Sequence, residues 1–230
     1  MAQFHFVEDY VKQVAAMKAK YPLDEAMAMA VGNADYHKVG QTERDILFAA
    51  GLRPGMSVFD LGCGSGRLAT ALAKEQIPLQ YLGTDVVQDL LDYAASNTPA
   101  HFCYILHREL SVPAESSSVD IACAFSVFTH LLHHETFMYM QDIRRALKPG
   151  GKLVFSFLEF AANNHWAVFD YTIAAQRDNT ASLNMFIERQ AIDIWAQRGD
   201  WRIDQYIDGS EIVGDGEPLG QSSVILTKPP

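Results

Sequence analysis

Five short apolar runs, 57–61, 80–85, 102–106, 119–125 and 152–157, recur between segments whose apolar positions follow a helical period. Near-continuous apolar runs mark strands buried on both faces, so the alternation predicts a parallel sheet with helices packed on either side. The intervening helices start near Arg67, Val87 and His134. The third is amphipathic, with Met140, Ile143 and Leu147 on one face and Gln141, Asp142, Arg144 and Arg145 opposite. Lys148-Pro149-Gly150-Gly151 then forms a turn that stops the helix and starts a strand. Ahead of the sheet, the spacing of Val11, Val14, Ala15 and Lys18 predicts a helix ended by Tyr21-Pro22. Residues 42–50 predict another, stopped by Gly51, and the polar stretch 32–37 lies between the two. After Phe157 the pattern loosens. Residues 159–176 mix aromatic and polar side chains, 185–198 read as a helix stopped by Gly199, and 201–207 and 222–227 read as two late strands. The expected organisation is one domain over 1–230: a helical cap (about 1–50), a ligand-binding core (about 51–158), and an acceptor-side insertion with the last strands (about 159–230).

The densest information lies where the first strand meets the first core helix, Val58-Phe59-Asp60-Leu61-Gly62-Cys63-Gly64-Ser65-Gly66-Arg67. A strand closes on a carboxylate, three glycines follow at alternate positions, and a helix begins. Glycine lets the backbone turn sharply and lie directly against a ligand, and the helix start points free amides at whatever fills the turn. The second strand ends on Asp85, 21 residues after Gly64 (85 − 64). An acidic side chain there is placed to accept hydrogen bonds from ribose hydroxyls. Together these features predict a nucleoside-type cofactor on an α/β sheet.

The glycine spacing, G-x-G-x-G with Asp60 two residues before it, differs from the G-x-G-x-x-G of dinucleotide folds. It resembles motif I of the class I S-adenosylmethionine (SAM)-dependent methyltransferases, small-molecule branch. Val112-Pro113-Ala114-Glu115, Phe125-Ser126-Val127-Phe128-Thr129-His130-Leu131 and Arg144-Arg145-Ala146-Leu147-Lys148-Pro149-Gly150-Gly151 are similar to that family's approaches to and exits from its fourth and fifth strands. The resemblance covers about residues 40–160 and the C-terminal strand pair. It implies a doubly wound, Rossmann-like sheet of seven strands, mostly parallel, with the last strand antiparallel between two others. It also implies SAM as cofactor, held by Asp60, Gly62, Cys63, Gly64, Gly66, Asp85, Val86 and Phe125. The chain departs from the family at the adenine contact, where the acidic slot holds Arg108. Either Glu109 takes that role or a backbone amide at Glu109 or Leu110 does.

Composition narrows the partners. A net charge of −10 argues against a nucleic-acid substrate, because phosphate binding needs a basic face. The three cysteines have no metal or redox spacing and read as reduced thiols, hence a cytoplasmic protein. No basic, apolar leader opens the chain, no run is long enough to span a bilayer, and the acidic residues do not assemble a metal set. No oligomeric state follows from the sequence.

On the acceptor side, His130 follows the fourth strand, where an imidazole deprotonates or orients a hydroxyl. The alternative is a histidine bonded to backbone at a helix start. Glu159 and His165 are placed to contact the acceptor, with Trp166, Phe169 and Tyr171 as walls of its pocket or as packing for the inserted segment. By the same resemblance, Tyr10 and Tyr36 belong to a lid over the cofactor. The leading expectation is methyl transfer to a small molecule. A catalytically silent SAM-binding protein and a nicotinamide-dependent oxidoreductase are the alternatives.

Overall fold

The computed structural model describes residues 7–32, 35–178 and 182–230. Three helices come first, α1 (Val7–Lys20), α2 (Leu23–Ala30) and α3 (Tyr36–Ala49). There follow β1 (Ser57–Leu61), α4 (Arg67–Lys74), β2 (Gln80–Asp85), α5 (Gln88–Ser96), β3 (Cys103–Leu106) and β4 (Val119–Ala124). The chain continues through α6 (His133–Ala146), β5 (Leu147–Phe157), α7 (Trp166–Arg177), α8 (Arg189–Arg198), β6 (Arg202–Ile207) and β7 (Ser222–Thr227). The seven strands form one sheet in the order β3-β2-β1-β4-β5-β7-β6. β1 to β5 pair in parallel, and β7 runs antiparallel to both β5 and β6.

Because successive strand side chains point to opposite faces, neighbouring residues divide between two cores. Phe59, Ala122, Leu153 and Val224 join one core with Met140, Ile143 and Ile192 of α6 and α8. Val58, Ile121, Val154 and Ile225 join the other with Ile46, Leu47, Leu68 and Leu72 of α3 and α4. The central strands are buried on both sides, which explains their unbroken apolar runs.

Departures from the sequence expectation have local causes. Pro22, read as a stop, also starts α2: it is the residue before the first turn, with φ −53°, and Asp24 and Glu25 follow at the positive helix end. α3 begins at Tyr36, six residues ahead of the expected start, with Asp35 before its first turn. β5 begins at Leu147, which pairs with Val119, but the register breaks before Lys152 pairs with Ile121, so the expected turn 148–151 persists as a bulge with Gly150 at φ +77°. α7 occupies the stretch whose mixed aromatic and polar composition carried no clear period. α8 starts at Arg189 because the preceding residues are held elsewhere, in a bridge from Phe186 to Leu158 and bonds to the β4 exit.

Candidate functional site

The chain changes winding direction between β1 and β4, and ligands collect outside the carboxyl ends of strands at such a switch point. A cavity of about 410 Å³ opens there, lined among others by Asp60, Gly62, Cys63, Gly64, Asp85, Val86 and Phe125. Gly62 and Gly64 have φ of +67° and +55°, in the region that favours glycine. A Cβ on Gly62 would stand 2.5 Å from Val127 Cγ2, and one on Gly64 the same distance from Val31 Cγ1. Gly66 has another function. Its missing Cβ lets α4 approach α5, where Ala94 Cβ would lie 2.8 Å away, and it does not line the cavity.

Two carboxyl groups face this turn. Asp85 accepts the Gly64 N–H at 3.0 Å on one oxygen and the Val87 N–H at 2.9 Å on the other. It therefore ties the glycine turn to the start of α5, a role that spacing alone did not reveal. Burial pushes its pKa up to about 6, against the pull of those backbone donors. Asp60 accepts the Tyr81 hydroxyl at 2.6 Å, and burial raises its pKa to about 7. Beside them Thr84 Oγ1 is buried on the cavity wall with no hydrogen-bond partner among the described residues.

A buried ion pair fastens the N-terminal helices to this turn. Arg67 at the start of α4 pairs with Glu43 of α3 through two nitrogens and donates to the Val31 carbonyl at 2.8 Å. The two side chains are 12% and 2% exposed, so the pair is held in low dielectric where loss of either partner is costly. Sequence reading missed both residues. The only available signal was an arginine directly after the glycine turn.

Tyr10, His130, Tyr139, Tyr171 and Asn184 also line the cavity, with Tyr10 packed near Val86 and Val87. Residues 183–186 lace onto the exit of β4. Met185 N–H donates to Thr129 O at 2.7 Å, His130 Nδ1 meets Leu183 O at 2.7 Å, and His133 Nε2 meets Phe186 O at 3.1 Å. Burial holds the His130 pKa below its usual value.

Several expected site residues lie outside the cavity. Glu159 is buried against Arg189 and accepts the Ser222 hydroxyl at 2.6 Å. His165 Nδ1 accepts the Glu159 N–H at 2.9 Å, so both brace the chain after β5 instead of facing an acceptor. Trp166 packs with Phe160 and Phe169 on the surface. Tyr36 donates its hydroxyl to Ser65 O at 2.8 Å, beneath the turn. Neither Glu109 nor Leu110 lines the cavity; the Glu109 carbonyl accepts the Tyr139 hydroxyl, and His107 is the nearby residue on the wall. Of the two expected lid tyrosines, Tyr10 reaches the cavity and Tyr36 does not.

Comparison with known proteins agrees with this geometry. Residues 59–155 match the model of a family described as a methyltransferase domain. The chain is 27% identical over 164 residues to the ubiquinone biosynthesis O-methyltransferase of Coxiella burnetii, covering 65% of this chain and 64% of that one. It is 30% identical over 165 residues to the ribosomal protein L11 methyltransferase of Nitrosomonas europaea, 67% of this chain and 51% of that one. A chain from the complex between the Haloferax volcanii Trm112 methyltransferase activator and a methyltransferase superposes with a TM-score of 0.69 at 15% identity, covering 96% of this chain and 98% of its own. The matched part spans 32% of one curated relative's length and 64% of another's. Residues 59–155 are thus a methyltransferase domain on a class I, Rossmann-like sheet, and the cofactor of this class is SAM.

The residues present fit that cofactor. Glycines without a Cβ line the turn, two carboxyl groups face it, and the Thr84 hydroxyl has no partner among the described residues. No helix among the described residues is long and apolar enough to cross a membrane.

Proposed function

We propose that this chain is a single-domain, SAM-dependent methyltransferase acting on a small molecule. One observation carries the acceptor class: the same cavity is lined both by the glycine turn and by His130, Tyr171 and Asn184. Tyr10 and Val14 of α1 and Val31 after α2 line the same cavity, so the N-terminal helices act as its cap. The segment between β5 and β6 acts as the acceptor-side insertion through Tyr171, Ser182 and Asn184. About 410 Å³ falls in the range of small-ligand pockets.

When bound, SAM supplies a methyl carbon already activated by its sulfonium. The protein then has to align and desolvate the reactants. Asp85 is assigned to the ribose hydroxyls, the Gly62–Gly64 backbone to the amino-acid end, and Asp60 to the polar and cationic groups around it. Gly66 supports the cradle through helix packing, and Cys63, Val86 and Phe125 wall it.

One relative is named for ubiquinone biosynthesis and another for a ribosomal protein, so acceptor class is the point to test. The protein should be incubated with methyl-labelled SAM and two separated fractions of a cell extract, one of small molecules and one of macromolecules. Label transferred to the small-molecule fraction is expected. Label appearing on protein alone overturns the acceptor assignment.

A further inference from the structure

We propose that His130 is the general base of this site and that its substrate is an uncharged phenol, methylated on oxygen. The inference rests on the SAM-dependent reading above and specifies the acceptor for the same cavity.

The argument begins with the tautomer. His130 Nδ1 lies 2.7 Å from the Leu183 carbonyl oxygen, which can only accept. Nδ1 therefore carries the proton, and in a neutral imidazole this leaves the lone pair on Nε2. Among the described residues no protein group hydrogen-bonds Nε2, while the residue lines the cavity. The tautomer is held from several directions. His130 N–H bonds to Val127 O at 2.9 Å, Met185 N–H to Thr129 O at 2.7 Å, and the Tyr10 ring packs edge-on at 5.9 Å. An imidazole on the cavity wall, with one nitrogen fixed by backbone and no partner for the other among the described residues, is equipped to accept a proton.

The electrostatics select the proton donor. The carboxyl groups of Asp60, Asp85 and Glu43 line the cavity, and Arg67 is its only lysine or arginine among the described residues. Arg67 is already committed to Glu43 and the Val31 carbonyl. An anionic acceptor, such as a carboxylate, a phosphate or a preformed thiolate, would find no uncommitted lysine or arginine on the cavity wall, among the described residues, to pair with. A neutral amine attacks through its own lone pair and needs no base beforehand. A neutral hydroxyl does need one, and a phenol, with a pKa of about 10 like tyrosine, lies closest to imidazole in proton affinity. Tyr10, Tyr139, Tyr171 and Phe125 supply aromatic walls for such a ring.

The step balances as follows. The phenol oxygen forms the new bond to the methyl carbon as the carbon–sulfur bond breaks and its electron pair stays on sulfur. Nε2 of His130 takes the hydroxyl proton and later returns it to water. Burial keeps His130 neutral at pH 7, and the Leu183 carbonyl is the one group that pulls its pKa the other way. The titratable neighbours are Tyr10 on α1, His133 and Tyr139 on α6, Tyr171 on α7, and His107, Asp60 and Asp85 at the strand ends. The Arg67–Glu43 pair completes the charged set.

The test uses the whole chain with S-adenosylhomocysteine (SAH) bound. Ring-nitrogen NMR, with the His130 signals assigned by His130→Gln, should show protonated Nδ1 and bare Nε2 at pH 7. An Nε2–H tautomer or an imidazolium at pH 7 overturns the proposal. Turnover is then read as SAH release with 4-methylphenol, thiophenol and aniline as probes. Release with the phenol is expected, with kcat reduced at least a hundredfold in His130→Gln and SAM affinity within twofold of the parent. No release with the phenol, or a phenol kcat unchanged by the substitution, also overturns it. A parallel SAM titration separates the two readings. SAM binding combined with any of those failures removes only the base and phenol assignment, whereas absent SAM binding removes the methyltransferase reading and this inference with it.

Discussion

Asp85 offers the sharpest quantitative test of the cofactor site, because one carboxylate is asked to do two things. It holds the Gly64 and Val87 amides, and its charge receives the cofactor. Replacing it with Asn keeps the shape and one acceptor oxygen. The two amides sit on different oxygens, so the new NH2 group must face one of them. A buried donor left without a partner costs about 1–3 kcal/mol, which in a chain of this size lowers Tm by several degrees. Loss of charge-assisted bonds to the cofactor adds about 1.5–3 kcal/mol on the binding side, roughly a 10- to 150-fold weaker Kd. The pH dependence has a definite sign. With a pKa of about 6 in the free protein, roughly one tenth of Asp85 is ionised at pH 5 and nearly all at pH 8. If only the ionised form accepts the ribose hydroxyls, this group alone should make SAM bind about tenfold more weakly at pH 5 than at pH 8, about 1.4 kcal/mol. Folding of the free protein should respond in the opposite sense. The unfolded carboxyl ionises near 3.8 and the folded one near 6, so stability from this group is greatest below about pH 4 and declines as pH rises towards 6. Isothermal titration of both proteins from pH 5 to pH 8, with thermal melts alongside, reads every arm. Asp85→Asn that binds SAM within twofold of the parent and with the same pH profile would refute the reasoning.

Three further outcomes are expected. Glu43→Ala strands the Arg67 guanidinium in a buried site, so stability should drop by about 3–5 kcal/mol and Tm by on the order of 10 °C; a shift below 2 °C in a thermal melt contradicts a buried pair. Gly64→Ala drives a Cβ into Val31 at the cavity wall and should abolish detectable SAM binding, whereas Gly66→Ala presses on Ala94 and should lower Tm with SAM affinity retained; equal effects on binding in calorimetry would erase the distinction. Glu159→Gln should destabilise the chain after β5 by about 1–3 kcal/mol while SAM affinity stays within twofold, and a tenfold loss of that affinity would return Glu159 to the site.

The sheet was legible because its central strands are buried on both faces, which leaves uninterrupted apolar runs such as Val58-Phe59 and Ile121-Ala122-Cys123 in the sequence. The glycine turn was legible because its backbone demands glycine. Side-chain direction was not. Glu159 and His165 follow a strand end on the ligand side of the sheet, yet they turn into bonds with Ser222, Arg189 and their own backbone. Gly66 shares the spacing of Gly62 and Gly64, but its close neighbour is a helix. The Arg67–Glu43 pair joins residues 24 apart in the chain, and no local period announces such a contact. Pro22 was ambiguous for a physical reason: its missing N–H and its ring end one helix, while its fixed φ suits the start of the next.

The central claim is that the glycine turn holds SAM. Calorimetric titration of the purified protein with SAM, SAH and NADH in parallel tests it directly. Micromolar binding of SAM and SAH, with no heat from NADH, is the predicted result. Binding of NADH alone, or of none of the three, would contradict it.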